Sequence, residues 1–153
     1  MLAKFSLQSI LDYRHSRVEG LEVELGQLLQ AQQQAQSVLE ALQFRHGHLI
    51  ERLGKVQTGE IDLSQIAQLR TNIQMVEHQI VRQHNLINAL VEKISAKRAE
   101  MIRAKQDEES LNTLKRKEND RFQVQLAQLE NRQQDDAYIS QGWRAAQSLI
   151  SYF

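Results

Sequence analysis

One heptad seam constrains this chain more than any other feature. Counting alternately four and three residues gives Leu7, Leu11, Arg14, Val18, Leu21, Leu25, Leu28, Gln32, Ala35, Leu39, Leu42, His46, Leu49, Leu53 and Val56, and twelve of these fifteen positions are apolar. A repeat of about 3.5 residues is the mark of helices that wrap on one another with a left-handed twist. Such a structure has no cleft for chemistry, so function is sought on its surface and at its ends.

The seam breaks once, at Thr58-Gly59-Glu60-Ile61-Asp62. Gly59 can take the left-handed conformation that ends a helix. Asp62 can cap the next helix, with Gln65 reaching back as the second half of a capping box. Helix 1 is therefore expected at about 4–57, the turn at 58–61 and helix 2 from about 62. The seam resumes as Ile66, Leu69, Ile73, Val76, Ile80, Gln83, Ile87, Leu90 and Ile94, with eight of nine positions apolar. It then weakens through Lys97, Met101, Ala104, Glu108, Leu111, Lys115, Glu118, Phe122, Gln125 and Leu129, where five of ten are apolar.

A short turn makes the two helices antiparallel. A mirror count about Gly59 sets Val56 beside Leu63 and Leu7 beside Asn112. Helix 1 is then used up near the place where the helix 2 seam weakens. The predicted fold class is all-α: a single long two-helix antiparallel coiled-coil hairpin with a C-terminal helical overhang. Helix 2 is expected to reach about 140, followed by a tail over 141–153. At 1.5 Å per residue the helices would be roughly 80 Å and over 100 Å long.

Composition agrees with this reading. The 153 residues include no proline, so nothing forbids very long helices, and no cysteine, so no disulfide or thiolate site exists. Lys plus Arg and Asp plus Glu both total 19. A zero net charge argues against general affinity for nucleic acid or anionic lipid. No run of 18 apolar residues is present, and Met1 to Tyr13 lacks the apolar core of a signal peptide. The expected protein is soluble and cytosolic.

Catalytic and metal constellations are absent from the sequence pattern. His15, His46, His48, His78 and His84 include no pair at the i, i+4 spacing of a helical zinc site. His46 occupies a seam position, where a polar residue marks register. There is no phosphate loop and no nucleophile elbow. We expect no enzyme activity, no catalytic residue, no metal and no cofactor. Gly20, Gly26, Gly47 and Gly54 sit at outward heptad positions, tolerated by the packing or leaving room for a partner. Lys115-Arg116-Lys117 reads as a solvated face, and the cation-rich stretch Lys93 to Lys105 as a surface for an acidic partner.

The last sixteen residues carry Tyr138, Ile139, Trp143, Leu149, Ile150, Tyr152 and Phe153. An exposed set of this kind needs a reason. Either the tail folds back on the coiled coil or it docks another protein, with Trp143 as an anchor.

The opening Phe5-Ser6-Leu7-Gln8-Ser9-Ile10-Leu11-Asp12-Tyr13-Arg14 resembles that of the FliJ family, the small soluble component of the bacterial flagellar type III export apparatus. The shared pattern is an aromatic, then Leu-Gln-x-apolar-Leu-polar-x-Arg, then a Glu/Gln-rich helix. Glu118 to Phe122 and Glu130 to Asp136 look like the family's second helix. The resemblance covers nearly the whole chain, and injectisome stalk proteins have a similar shape. It implies a hairpin like the central stalk of rotary ATPases. The stalk would enter the pore of the hexameric flagellar export ATPase, promote ring formation, and contact the export gate protein and export chaperones, with peripheral association at the inner face of the cell membrane. Carried over by position, the gate contact falls on Leu69 and Ile73, which also lie on the seam. Ring-facing residues are sought among Arg14, Arg17, Arg121 and Arg132. Two other readings stay open: a generic coiled-coil adaptor that homodimerises along the seam, and a nucleic-acid-associated hairpin.

Overall fold

The structure, a computed structural model, describes residues 5–150. It contains two helices, α1 (Gln8–Val56, 49 residues) and α2 (Leu63–Ile150, 88 residues). They form the antiparallel hairpin expected from the seam. Every seam position from Leu7 to Phe122 is buried or half-buried, whereas Gln125 and Leu129 are exposed. The 3.5-residue period thus marks the faces that the helices bury against each other.

The turn follows its local chemistry. Thr58 closes the end of α1, donating both its backbone N–H and its Oγ1 hydrogen to the Lys55 carbonyl, at 3.3 and 2.8 Å. Gly59 then takes φ +100°, a conformation that costs an L side chain roughly 1–2 kcal/mol. Asp62 Oδ1 accepts the Ser64 N–H at 3.0 Å, the N-cap bond expected of it. Ile66 N–H to the Asp62 carbonyl at 3.1 Å is the first regular helical bond.

Two compact units are distinguished, Ser16–Ala104 and the two terminal segments that run up to His15 and onward from Lys105. In Ser16–Ala104, Leu49 from α1 packs with Leu69, Ile73 and Val76 from α2, with Leu42, Leu53, Val56 and Ile80 around them. Val18 and Leu21 pack on Ala104 and Met101. Leu21 and Val76 are the most deeply buried side chains. Truncating a fully enclosed leucine costs about 2–5 kcal/mol.

In the unit of the terminal segments, Phe5, Leu11 and Leu111 form the core with Leu7 beside them. The helix begins at Gln8, later than the expected 4, because the Gln8 N–H bonds the Phe5 carbonyl at 3.2 Å and Ser6-Leu7 form a turn. Phe5 is thereby set against Leu11, one turn into the helix, in the manner of a hydrophobic staple. Half-burial on α2 reaches Leu126, beyond the Asn112 of the mirror count. Leu11 pairs with Leu111 rather than with a residue nearer the turn, and Phe5 extends the cover past Leu7.

Past Leu126 every described residue is exposed, and α2 continues as a bare helix to Ile150. The helix therefore runs through most of the segment expected to be a tail. Gly142 lies within it, and one glycine weakens a helix by about 1 kcal/mol without breaking it. Tyr152 and Phe153 lie outside the described residues.

Candidate partner-binding surfaces

The polar residues inside the seam are the first place to seek a site, because burial between helices requires that they be satisfied. Each of the following finds its partner on the opposite helix. In the Ser16–Ala104 unit, Gln83 donates from Nε2 to the Ala35 carbonyl at 2.8 Å. Lys97 Nζ meets Glu24 at 2.8 Å, and His46 Nε2 lies 3.0 Å from Glu77. In the other unit, Arg14 donates to the Asp107 carbonyl at 2.8 Å, and His15 Nδ1 lies 2.7 Å from Glu108 Oε1. These groups read out helix register within the chain. Among the described residues no three His, Asp or Glu side chains are placed to hold a metal.

The Lys97–Glu24 pair carries the resolved electrostatic shifts. The hydrogen bond from Lys97 holds the Glu24 carboxyl below its ordinary value, and that bond to Glu24 raises the Lys97 ammonium above its own. The aliphatic stem of Lys97 lies on the seam while its head reaches the flank. The pair is solvent-screened and acts on register more than on stability.

Of the residues singled out from sequence, Leu69 and Ile73 are 5% and 7% exposed and belong to the core with Leu49. They face α1, as their seam positions require. Arg14 is engaged by the Asp107 carbonyl. Arg17 reaches Glu100 at 3.8 Å with its side chain more than half exposed. Arg121 and Arg132 are exposed on α2. They stand 14 and 25 positions beyond Asp107, the point that Arg14 touches, and so form no single cluster with it. Trp143 is 67% exposed.

Among the described residues, the terminal apolar set does not fold back. Tyr138, Ile139, Trp143, Leu149 and Ile150 all stand on the bare helix in solvent. The cation-rich stretch from Lys93 lines a groove of about 510 Å³, in which Lys97 is drawn to Glu24 and Glu100. Arg116 is bonded to Glu109 at 2.7 Å. The four outward glycines of α1 face open space.

No helix among the described residues is long and apolar enough to cross a membrane. No curated protein and no solved structure matches the chain. A family model does: residues 3–147 match the one described as the flagellar FliJ protein. That match spans nearly the whole sequence, and the chain belongs to the flagellar FliJ family, structural components of the flagellar protein-export apparatus.

Proposed function

We propose that this chain is a non-enzymatic, central-stalk-like activator of the hexameric flagellar export ATPase, and that it links the ATPase to the export gate protein and export chaperones. The observation that carries the reading is the unequal length of the helices. α2 outlasts α1 and leaves a bare, stiff helical segment of the kind that can enter a ring. A single asymmetric helix can press on each ring subunit in turn, so one contact serves several sites. Membership of the flagellar export family supports this reading.

On this reading Arg121 and Arg132, exposed on the distal part of α2, face the ring, and Trp143 supplies an apolar contact beyond them. Arg14 and Arg17 contribute at the start of α1. Leu69 and Ile73 maintain the packed hairpin on which the gate contact is displayed. Association with the inner face of the cell membrane is peripheral and comes through the gate. The test is hydrolysis by the purified export ATPase with and without the chain. Stimulation is expected, and it should fall for Arg121→Glu and Arg132→Glu. Unchanged hydrolysis in the presence of the chain would refute the stalk role.

A further inference from the structure

We propose that the bare end of α2 docks antiparallel on the same segment of a second copy of this chain. The starting observation is a matter of phase. Continuing the four-three count beyond Phe122 gives Gln125, Leu129, Arg132, Asp136, Ile139, Trp143, Ala146 and Ile150. The seam that α1 covers upstream is thus re-established in register where no α1 remains. Leu129, Ile139, Trp143 and Ile150 are each more than half exposed. This stripe is the direct continuation of the hairpin's own interface, and its spacing asks for another helix rather than a flat surface.

Charge and volume select the occupant. The stripe carries two charges, Arg132 and Asp136, of opposite sign and one helical step apart. In an antiparallel pair, seam positions of one heptad type face those of the other. The register that sets Arg132 against Asp136 of the second copy obeys that rule at every layer. It also sets Leu129 against Ile139 of the second copy, Gln125 against Trp143 and the half-buried Phe122 against Ala146, large beside small. Two-fold symmetry then makes each pairing occur twice. A parallel pair would instead stack Arg132 on Arg132 and Asp136 on Asp136, which like-charge repulsion disfavours. Shifting the antiparallel pair by one heptad toward the C-terminus would oppose Asp136 to Ile139 and Arg132 to Trp143. The charges therefore fix both direction and register.

The inference rests on the seam and not on the ATPase reading, and its test contains no ATPase. Self-docking would cover Arg132 and Trp143, so a copy paired in this way is held out of any contact those residues make elsewhere.

The experiment is sedimentation equilibrium of the full chain over a wide concentration range, with circular dichroism confirming that each variant stays helical. The wild type is expected to enter a monomer–dimer equilibrium. Arg132→Asp and Asp136→Arg each place like charges opposite one another and should weaken the dimer about tenfold. The double exchange R132D/D136R restores both cross-pairs and should recover affinity to within about threefold of wild type. Trp143→Ala should weaken the dimer with no recovery by the charge exchange. A chain that stays monomeric at the highest concentration, single exchanges that leave the dimer unchanged or strengthen it, or a double exchange as weak as the singles would each overturn the proposal.

Discussion

Lys97 on α2 and Glu24 on α1 meet at 2.8 Å across the seam, and each moves the other's proton affinity toward the charged form. The direction of the pH effect follows. Glu24 is lowered, so its contribution is present above the ordinary carboxylate range and is lost as pH falls through its lowered value. Lys97 is raised, so its contribution is full below the ordinary lysine range and is lost as pH rises through the raised value. Between those limits Glu24→Gln should melt slightly below wild type. The difference should vanish in strong acid and shrink in high salt. Thermal melts of both proteins at neutral and acid pH check this. A difference that persists unchanged in acid would rule out the pair as its source.

The outward glycines offer a test of packing. At Gly20, Gly26 and Gly54 an added Cβ meets nothing within 4 Å. Alanine there should raise stability by about 0.5–1 kcal/mol at each site, because helix propensity improves without a clash. At Gly59, with φ +100°, alanine should lower stability by roughly 1–2 kcal/mol. Urea titrations of the four variants read out the opposite signs. If the outward glycines serve a partner's close approach, the stabilised variants will also lose that partner.

Leu69 and Ile73 separate core from contact. Both pack on Leu49 within the hairpin. Leu69→Ala and Ile73→Ala should each destabilise the fold by about 2–4 kcal/mol. Hydrogen exchange should quicken locally around them, since a long two-helix packing opens in segments. Variants with wild-type stability and a selective loss of binding would return these residues to a surface role.

Gln83 tests register. Its amide reaches the Ala35 carbonyl at 2.8 Å, a bond that forms in one alignment of the helices. Gln83→Leu should keep or raise the melting temperature while relaxing alignment, as polar seam residues specify register at a cost in stability. Paired cysteine or spin labels near residues 35 and 83 would then report a broadened distance distribution. A single sharp distance, unchanged from wild type, would mean that apolar packing alone sets the register.

Much of this arrangement was legible from the heptad count. Leu21, Leu39, Leu69 and Val76 are buried because their spacing leaves them nowhere else to point. Gly59 and Asp62 announced the turn for local steric and capping reasons. The cross-helix partners were harder to read. A mirror count sums paired residue numbers to 119, whereas the pairs in the Ser16–Ala104 unit sum to between 117 for Arg17–Glu100 and 123 for His46–Glu77. Long side chains choose among neighbours a turn apart, so the pairing of Glu77 with His46 or of Glu24 with Lys97 does not follow from the heptad count. Heptad flanks were the available signal, since Glu24, Arg17 and Glu100 all lie beside seam positions. Leu69 and Ile73 are buried as their seam positions predict, whatever contact their place in a family motif implies. α2 runs on to Ile150, past the expected 140, because the segment has no proline and its one glycine does not break the helix.

The stalk reading is tested most directly by titrating the full chain into the purified flagellar export ATPase while recording hydrolysis and ring assembly in the same samples. The account predicts that hydrolysis rises and saturates near one chain per hexamer, with Arg121→Glu and Arg132→Glu reducing the effect. A chain that is fully helical yet leaves both hydrolysis and assembly unchanged across the titration would contradict it.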